Sequence, residues 1–155
     1  MENQRYAFDF LVVKDNYSYV GDQAKNESYH IFNTDVIAPA DGKVIKVENQ
    51  IKDNEPVGKM NEKHPAGNYV IIDHGNLGYS MLAHFKNKSI QVKPGDLVKI
   101  GDALGKVGNS GNSGEPHIHF QAGDSPDLEK MKSIRMQFDK DYYQMIQGKT
   151  VKRQY

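Results

Sequence analysis

The chain has no cysteine, which excludes a disulfide framework and any thiolate metal site, and leaves the redox compartment open. It carries no net charge of either sign: 20 Lys and Arg balance 20 Asp and Glu over 155 residues, far from the basic density of a nucleic-acid binder. No apolar run approaches the roughly 18 residues of a membrane span. The opening residues, Met1 to Phe10, lack the basic start and apolar stretch of a signal peptide. On that feature alone the chain is expected to be either cytoplasmic or a processed or trimmed piece. What is present is a polar, turn-rich composition, with 14 Gly and 6 Pro, in a length that suits one domain.

The zero balance is uneven along the chain. Residues 1–127 hold 13 basic and 17 acidic side chains, whereas 128–155 hold 7 and 3. The sequence therefore divides into a main domain, 1–127, and a basic C-terminal extension, 128–155, packed on it or trailing from it. Asp139 and Asp141 interrupt the basic residues, so a solvated tail is expected in preference to a polymer-binding one.

Short alternating stretches separated by turn chemistry dominate the centre. Lys43 to Val47, Tyr69 to Ile72, Gly78 to Phe85, Leu97 to Ile100 and Ala103 to Val107 read as strands bounded by Gly, Asp, Asn and Pro. In the third of these, Tyr79, Met81 and Ala83 fall on one face and Ser80, Leu82 and His84 on the other. Strands at this spacing, with no helical period between them, predict an all-β fold, an antiparallel β-sandwich or barrel. Residues 14–34 and 48–67 read as long surface loops, which in a compact domain are more often functional than idle. Asp127 to Ile134 is expected to form a short helix.

Among six histidines, two stand out by spacing. His117 and His119 alternate with Ile118 and Phe120, so on a strand both imidazoles share a face. A loop dense in Gly, Asn and Ser, Gly105 to Pro116, leads into them and can wrap closely enough to offer backbone N–H groups. It lacks the Lys-Ser/Thr ending of a phosphate loop. Asp9 interrupts an apolar run between Phe8 and Phe10 and therefore either faces solvent or binds something. Zinc accepts imidazole and carboxylate donors, and a hydrolytic site typically keeps three protein ligands with a fourth position for water. His30, His64 and His74 read as surface residues.

Several of these segments occur together in one order: Ala38-Pro39-Ala40-Asp41-Gly42-Lys43-Val44, Gly67-Asn68-Tyr69-Val70-Ile71-Ile72-Asp73-His74-Gly75, Ala83-His84-Phe85, Val92-Lys93-Pro94-Gly95-Asp96-Leu97-Val98, Gly108-Asn109-Ser110-Gly111 and Pro116-His117-Ile118-His119-Phe120. Over roughly residues 5–122 the chain resembles the lysostaphin-type (LytM-like) zinc endopeptidases of bacterial cell walls. The resemblance implies a barrel-sandwich hybrid (duplicated hybrid motif) with long surface loops, and one Zn²⁺ held by a His, an Asp and the second His of the pair. It makes Asp9 and His119 metal ligands and His117 and His84 catalytic residues. Asp35 is a rival acid, but Thr34 to Pro39 aligns with the strand after the ligand Asp. By the same resemblance the substrate is a peptide in peptidoglycan, the location is extracellular or in the cell envelope, and the protein is a monomer that binds no nucleic acid.

One expected feature is missing: none of the eight residues before Asp9 is His, so the first metal ligand is absent from this chain. Three explanations follow: a start after that histidine, replacement by a residue such as His30, or loss of metal and activity. The first is preferred, because Asp9, His84, His117 and His119 are all retained. The alternative function is a catalytically degenerate binding module or regulator of cell-wall hydrolases. A biotinyl or lipoyl carrier, suggested locally by Val92 to Asp102, lacks the lysine at a hairpin tip. A sugar phosphocarrier would not need Asp9.

Overall fold

The computed structural model describes residues 4–136. Nine strands form within them: β1 (Phe8–Phe10), β2 (Asp35–Ile37), β3 (Gly42–Glu48), β4 (Asn68–Asp73), β5 (Tyr79–Phe85), β6 (Leu97–Val98), β7 (Ala103–Lys106), β8 (Ile118–Gly123) and β9 (Ser133–Ile134). Every pairing is antiparallel. The main sheet runs β1-β8-β5-β4-β3-β6 with β9 added to β8, and β2 pairs β7 in a second sheet. The expected all-β antiparallel architecture is therefore what the chain adopts. Among the described residues no helix is long and apolar enough to cross a membrane.

Strand alternation sorts the side chains between two apolar clusters. Val70, Ile72, Leu82, Ile118 and Phe120 join Val36, Leu104 and Phe85 in the larger core between the sheets. Ile71, Met81 and Ala83 face the other way and meet Met131. Each fully buried aliphatic or aromatic side chain contributes about 1.5–3 kcal/mol, so the central strands β4, β5 and β8 form a stiff platform.

Register breaks at three places among the described strands, between Val36 and Ile37, between Val44 and Lys46, and at His84, and at His84 the break changes the expected facing of a site residue. Asn68 pairs Phe85 and Tyr69 pairs Ala83, so His84 is an extra residue in a bulge, with φ at 67°. A left-handed backbone is uncommon away from glycine, although histidine is one of the residues enriched there. The consequence is a shift of phase: Phe85, not His84, follows Leu82 into the core. His84 is freed from the Ser80–Leu82 face, as bulges beside active sites commonly re-aim a side chain.

The expected helix at 127–134 is instead a turn followed by β9. Asp127 accepts from the backbone N–H of Met131 at 2.7 Å, and Met131 buries itself over Gly123, where an added Cβ would strike its side chain. Residues 137–155, most of the expected basic extension, lie outside the described residues.

Candidate active site

Register brings the first two site residues together. Asp9 on β1 stands directly opposite His119 on β8, and His119 stands opposite Ala83 on β5. Directly opposed residues share a face with their Cβ atoms about 4.5–5.5 Å apart, so the carboxylate and the imidazole meet. His119 Nδ1 donates to Asp9 Oδ1 at 2.8 Å, and Nε2 donates to Gln121 Oε1 at 3.1 Å. Gln121 in turn directs its amide to Met131 Sδ. With an acceptor on each ring nitrogen, His119 favours the imidazolium. Burial alone would pull its pKa down, but the bonds to Asp9 and Gln121 and the Asp9 charge outweigh it and leave it raised. The same His119 bond holds the Asp9 carboxyl below the usual carboxylate range against the opposing effect of partial burial.

The other two histidines are held by backbone carbonyls of the Gly/Asn/Ser loop. His84 Nδ1 bonds the Ser110 carbonyl at 2.8 Å, and His117 Nδ1 bonds the Glu115 carbonyl at 2.8 Å with Ser113 Oγ 3.2 Å away. A carbonyl can only accept, so both rings must carry a proton on Nδ1, and the neutral form of each has its lone pair on Nε2. His117 Nε2 lies 3.6 Å from Asp9 Oδ1. The His84 ring centre is 4.7 Å from that of His117 and 6.0 Å from that of His119. Burial pushes the His84 imidazole down to about 4; neighbouring His117 adds to the effect and the Ser110 carbonyl offsets only part of it. At neutral pH His84 is uncharged.

Close packing of the loop against the strand entrance makes this possible. Gly111 and Gly67 both have positive φ, and a Cβ on either would overlap backbone of the other's segment: Gly67 from Gly111, Ser110 from Gly67. Any side chain there would push the loop away from the carbonyl positions that His84 and His117 need. Beside the cluster opens a groove of about 740 Å³. Its lining includes Asp22, Ala24 and Val57 from the two long loops, with Tyr29, Glu115 and His117.

The donor set was tested against zinc on this geometry. Gln121 holds the His119 proton on Nε2, so loss of the Nδ1 proton leaves a lone pair pointing at the Asp9 oxygen: a proton occupies the place between two donors that a cation would take. The chemistry of the pair fits zinc. The number of ligands is one short, since no group of three His, Asp or Glu side chains able to hold a metal occurs among the described residues.

The remaining sequence candidates lie apart. Asp35 accepts an ion pair from Lys106 at 2.7 Å across the small sheet. His30 donates its backbone N–H to the Ser18 carbonyl, and its buried Nε2 has no hydrogen-bond partner; among the described residues no contact joins it to Asp9 or His119. His74 contacts the Asp41 carbonyl and Ser80 Oγ through its two ring nitrogens, each at 2.7 Å, and serves as a structural tie. Sequence reasoning missed Gln121, although a step of two from His119 on one strand face would have found it. It also missed the carbonyls of Ser110 and Glu115, for which side-chain identity carries no signal.

Comparison with known proteins finds relatives among peptidases. "Peptidoglycan DD-endopeptidase ShyA" of Vibrio cholerae is 41% identical over 63 residues, covering 40% of this chain and 14% of that protein. "Peptidoglycan DD-endopeptidase ShyB" of the same organism is 36% identical over 87 residues, covering 56% of this chain and 17% of that protein. The chain thus spans less than a fifth of either relative. Among solved structures, the catalytic domain of lysostaphin from Staphylococcus simulans aligns with a TM-score of 0.47 at 24% identity, over 76% of this chain and 85% of that domain. Residues 28–127 match Peptidase family M23, and since that stretch is well over half of the sequence and holds three of the four clustered side chains, this chain belongs to Peptidase family M23.

Proposed function

We propose that this chain forms the hydrolytic domain of a zinc-dependent endopeptidase that cleaves peptide bonds in bacterial peptidoglycan, acting as a monomer in the cell envelope. The observation that carries the reading is the convergence of Asp9, His84, His117 and His119, with Nε2 of His117 3.6 Å from the carboxylate of the Asp9–His119 pair. The substrate class is supported by the names of the relatives, and the groove beside His117 has room for an extended peptide.

Asp9 and His119 would hold the metal, with a further ligand from outside residues 4–136 or from solvent. When bound, zinc supplies Lewis acidity to the scissile carbonyl and to the attacking water. His117 Nε2 accepts the proton of that water as its oxygen bonds to the carbonyl carbon. As the C–N bond breaks, His117 returns the proton to the leaving amine. His84, kept neutral by burial, steadies the transition state by accepting at Nε2 a hydrogen bond from the second hydrogen of the attacking water and does not act as a second cation.

The second reading, a non-catalytic binding module on the same fold, is favoured by the incomplete ligand set among the described residues. Zinc content by elemental analysis, measured alongside amine release from purified peptidoglycan, separates the two. Bound zinc with zinc-dependent amine release supports the endopeptidase. Peptidoglycan binding without either supports the module and overturns the proposal.

A further inference from the structure

The loop that orients His84 and His117 is itself braced from a distant part of the chain. Asn54, in the long 48–67 connection, is buried, and its side-chain amide donates to two carbonyls of that loop: Gly111 at 2.9 Å and Ser113 at 3.0 Å. Its backbone N–H donates to the Asn109 carbonyl at 2.9 Å. Its own carbonyl accepts from Asn26 Nδ2 at 2.8 Å, and Asn26 Oδ1 accepts from Asn109 Nδ2 at 2.8 Å. Next to it, Asp53 accepts the backbone N–H of Asn109 at 2.7 Å and of Asn87 at 3.0 Å. Two carbonyls one residue apart, Gly111 and Ser113, are thus gripped by a single planar amide, between the Ser110 carbonyl that serves His84 and the Glu115 carbonyl that serves His117. A short carboxamide suits this, because Asn carries two N–H donors on one planar nitrogen close to the backbone, whereas Gln is a methylene longer and the planar donors of Arg lie further out still.

We propose that Asn54, held by Asn26, is a positioning residue for hydrolysis: it fixes the loop whose carbonyls hold a proton on Nδ1 of His84 and of His117 and so set the orientation of both rings. Its effect on rate rests on the hydrolytic reading above, but its effect on the histidine tautomers does not. Loss of the grip frees the carbonyls to turn, and a ring whose Nδ1 partner has moved exchanges between its two neutral forms.

The test is ¹⁵N–¹H correlation of the histidine side chains in metal-free protein at neutral pH, in wild type and in Asn54→Ala. In wild type, His84 and His117 are each expected to show a proton held on Nδ1. In Asn54→Ala both should become mixtures, with the His74 signals unmoved because its partners, Asp41 and Ser80, lie outside the braced loop. In zinc-loaded protein the same variant should lower kcat about tenfold or more, with KM and zinc content unchanged. Asn54→Gln, which keeps both donors on a longer arm, should restore part of the wild-type tautomer pattern. A folded Asn54→Ala with wild-type tautomers overturns the proposal. Should Asn54→Ala not fold, Asn26→Ala gives the same reading one bond further out, with a partial shift expected and none contradicting it. In wild type itself, the Asn54 side-chain amide hydrogens should exchange slowly, and fast exchange also overturns the proposal. A wild type that shows these tautomers yet cleaves nothing would remove the endopeptidase reading and leave the positioning result standing.

Discussion

The site has two halves that are built by different means. Asp9 and His119 meet because they are opposite residues on paired strands, β1 and β8, and their bond spans 110 positions of sequence without any loop taking part. His84 and His117 point where they do because a loop offers them the Ser110 and Glu115 carbonyls, and that loop is held by Asn54, Asn26, Asp53 and a pair of tightly opposed glycines. Register is a property of the whole sheet and resists local change, since a slip by one residue would turn every side chain to the other face. Carbonyl orientation is local and depends on a few buried hydrogen bonds. The metal-facing half should therefore survive damage to the loop, while the proton-handling half should not.

His119→Ala attacks the register-built half and is expected to have the largest effect: bound zinc falls to background by elemental analysis and hydrolysis is lost with it. His117→Ala attacks the other half and should separate the two, lowering kcat by about 10²–10⁴ while zinc content stays at the wild-type level. A parallel loss of zinc in His117→Ala would erase the distinction. Gly111→Ala perturbs the loop without touching any titratable group. The overlap with Gly67 should cost about 1–3 kcal/mol of stability, read as a shift in urea midpoint, and should lower kcat while leaving zinc in place.

The two halves also differ in pH dependence. His84 has its folded pKa depressed to about 4, below the unfolded value of 6.5, so between these values the unfolded chain binds the extra proton. Stability is then full above about pH 6.5 and declines as pH falls toward about 4, by about 3 kcal/mol at most. Urea midpoints from pH 7 to 4 should fall less steeply in His84→Gln than in wild type. Equal slopes would mean that His84 is not buried in its neutral form. His119 works in the opposite sense, because its raised pKa gives stability that is present below pH 6.5 and lost as pH rises, so the comparison of the two proteins, and not the wild-type curve alone, isolates His84.

How legible each half was in the sequence follows from the same contrast. The period of two in His117-Ile118-His119-Phe120 correctly put Ile118 and Phe120 in the core and the imidazoles opposite, and the acid within Phe8-Asp9-Phe10 announced a second polar residue on a strand. The facing of His84 was misread, because alternation assumes an unbroken strand and nothing in Ala83-His84-Phe85 announces a bulge at φ 67°. The turn at Asp127 and the burial of Met131 were hidden as well: a residue four places on from a capping acid suits a helix equally, and the preference for β9 comes from the free edge of β8 that it pairs. The roles of Asn54 and Asn26 were invisible for a simpler reason. They grip backbone carbonyls in a segment 57 and 83 positions away, and a polar loop gives no sign of which of its asparagines is buried.

The central claim is that Asp9, His84, His117 and His119 form one metal-assisted hydrolytic centre. Its most direct test is the release of new amine groups from purified cross-linked peptidoglycan, followed before chelation, after chelation and after zinc is returned. The account predicts release that stops on chelation and resumes with zinc in wild type, and that never appears in His117→Ala. No release by zinc-loaded wild type, or release that continues undiminished in chelator, would contradict it.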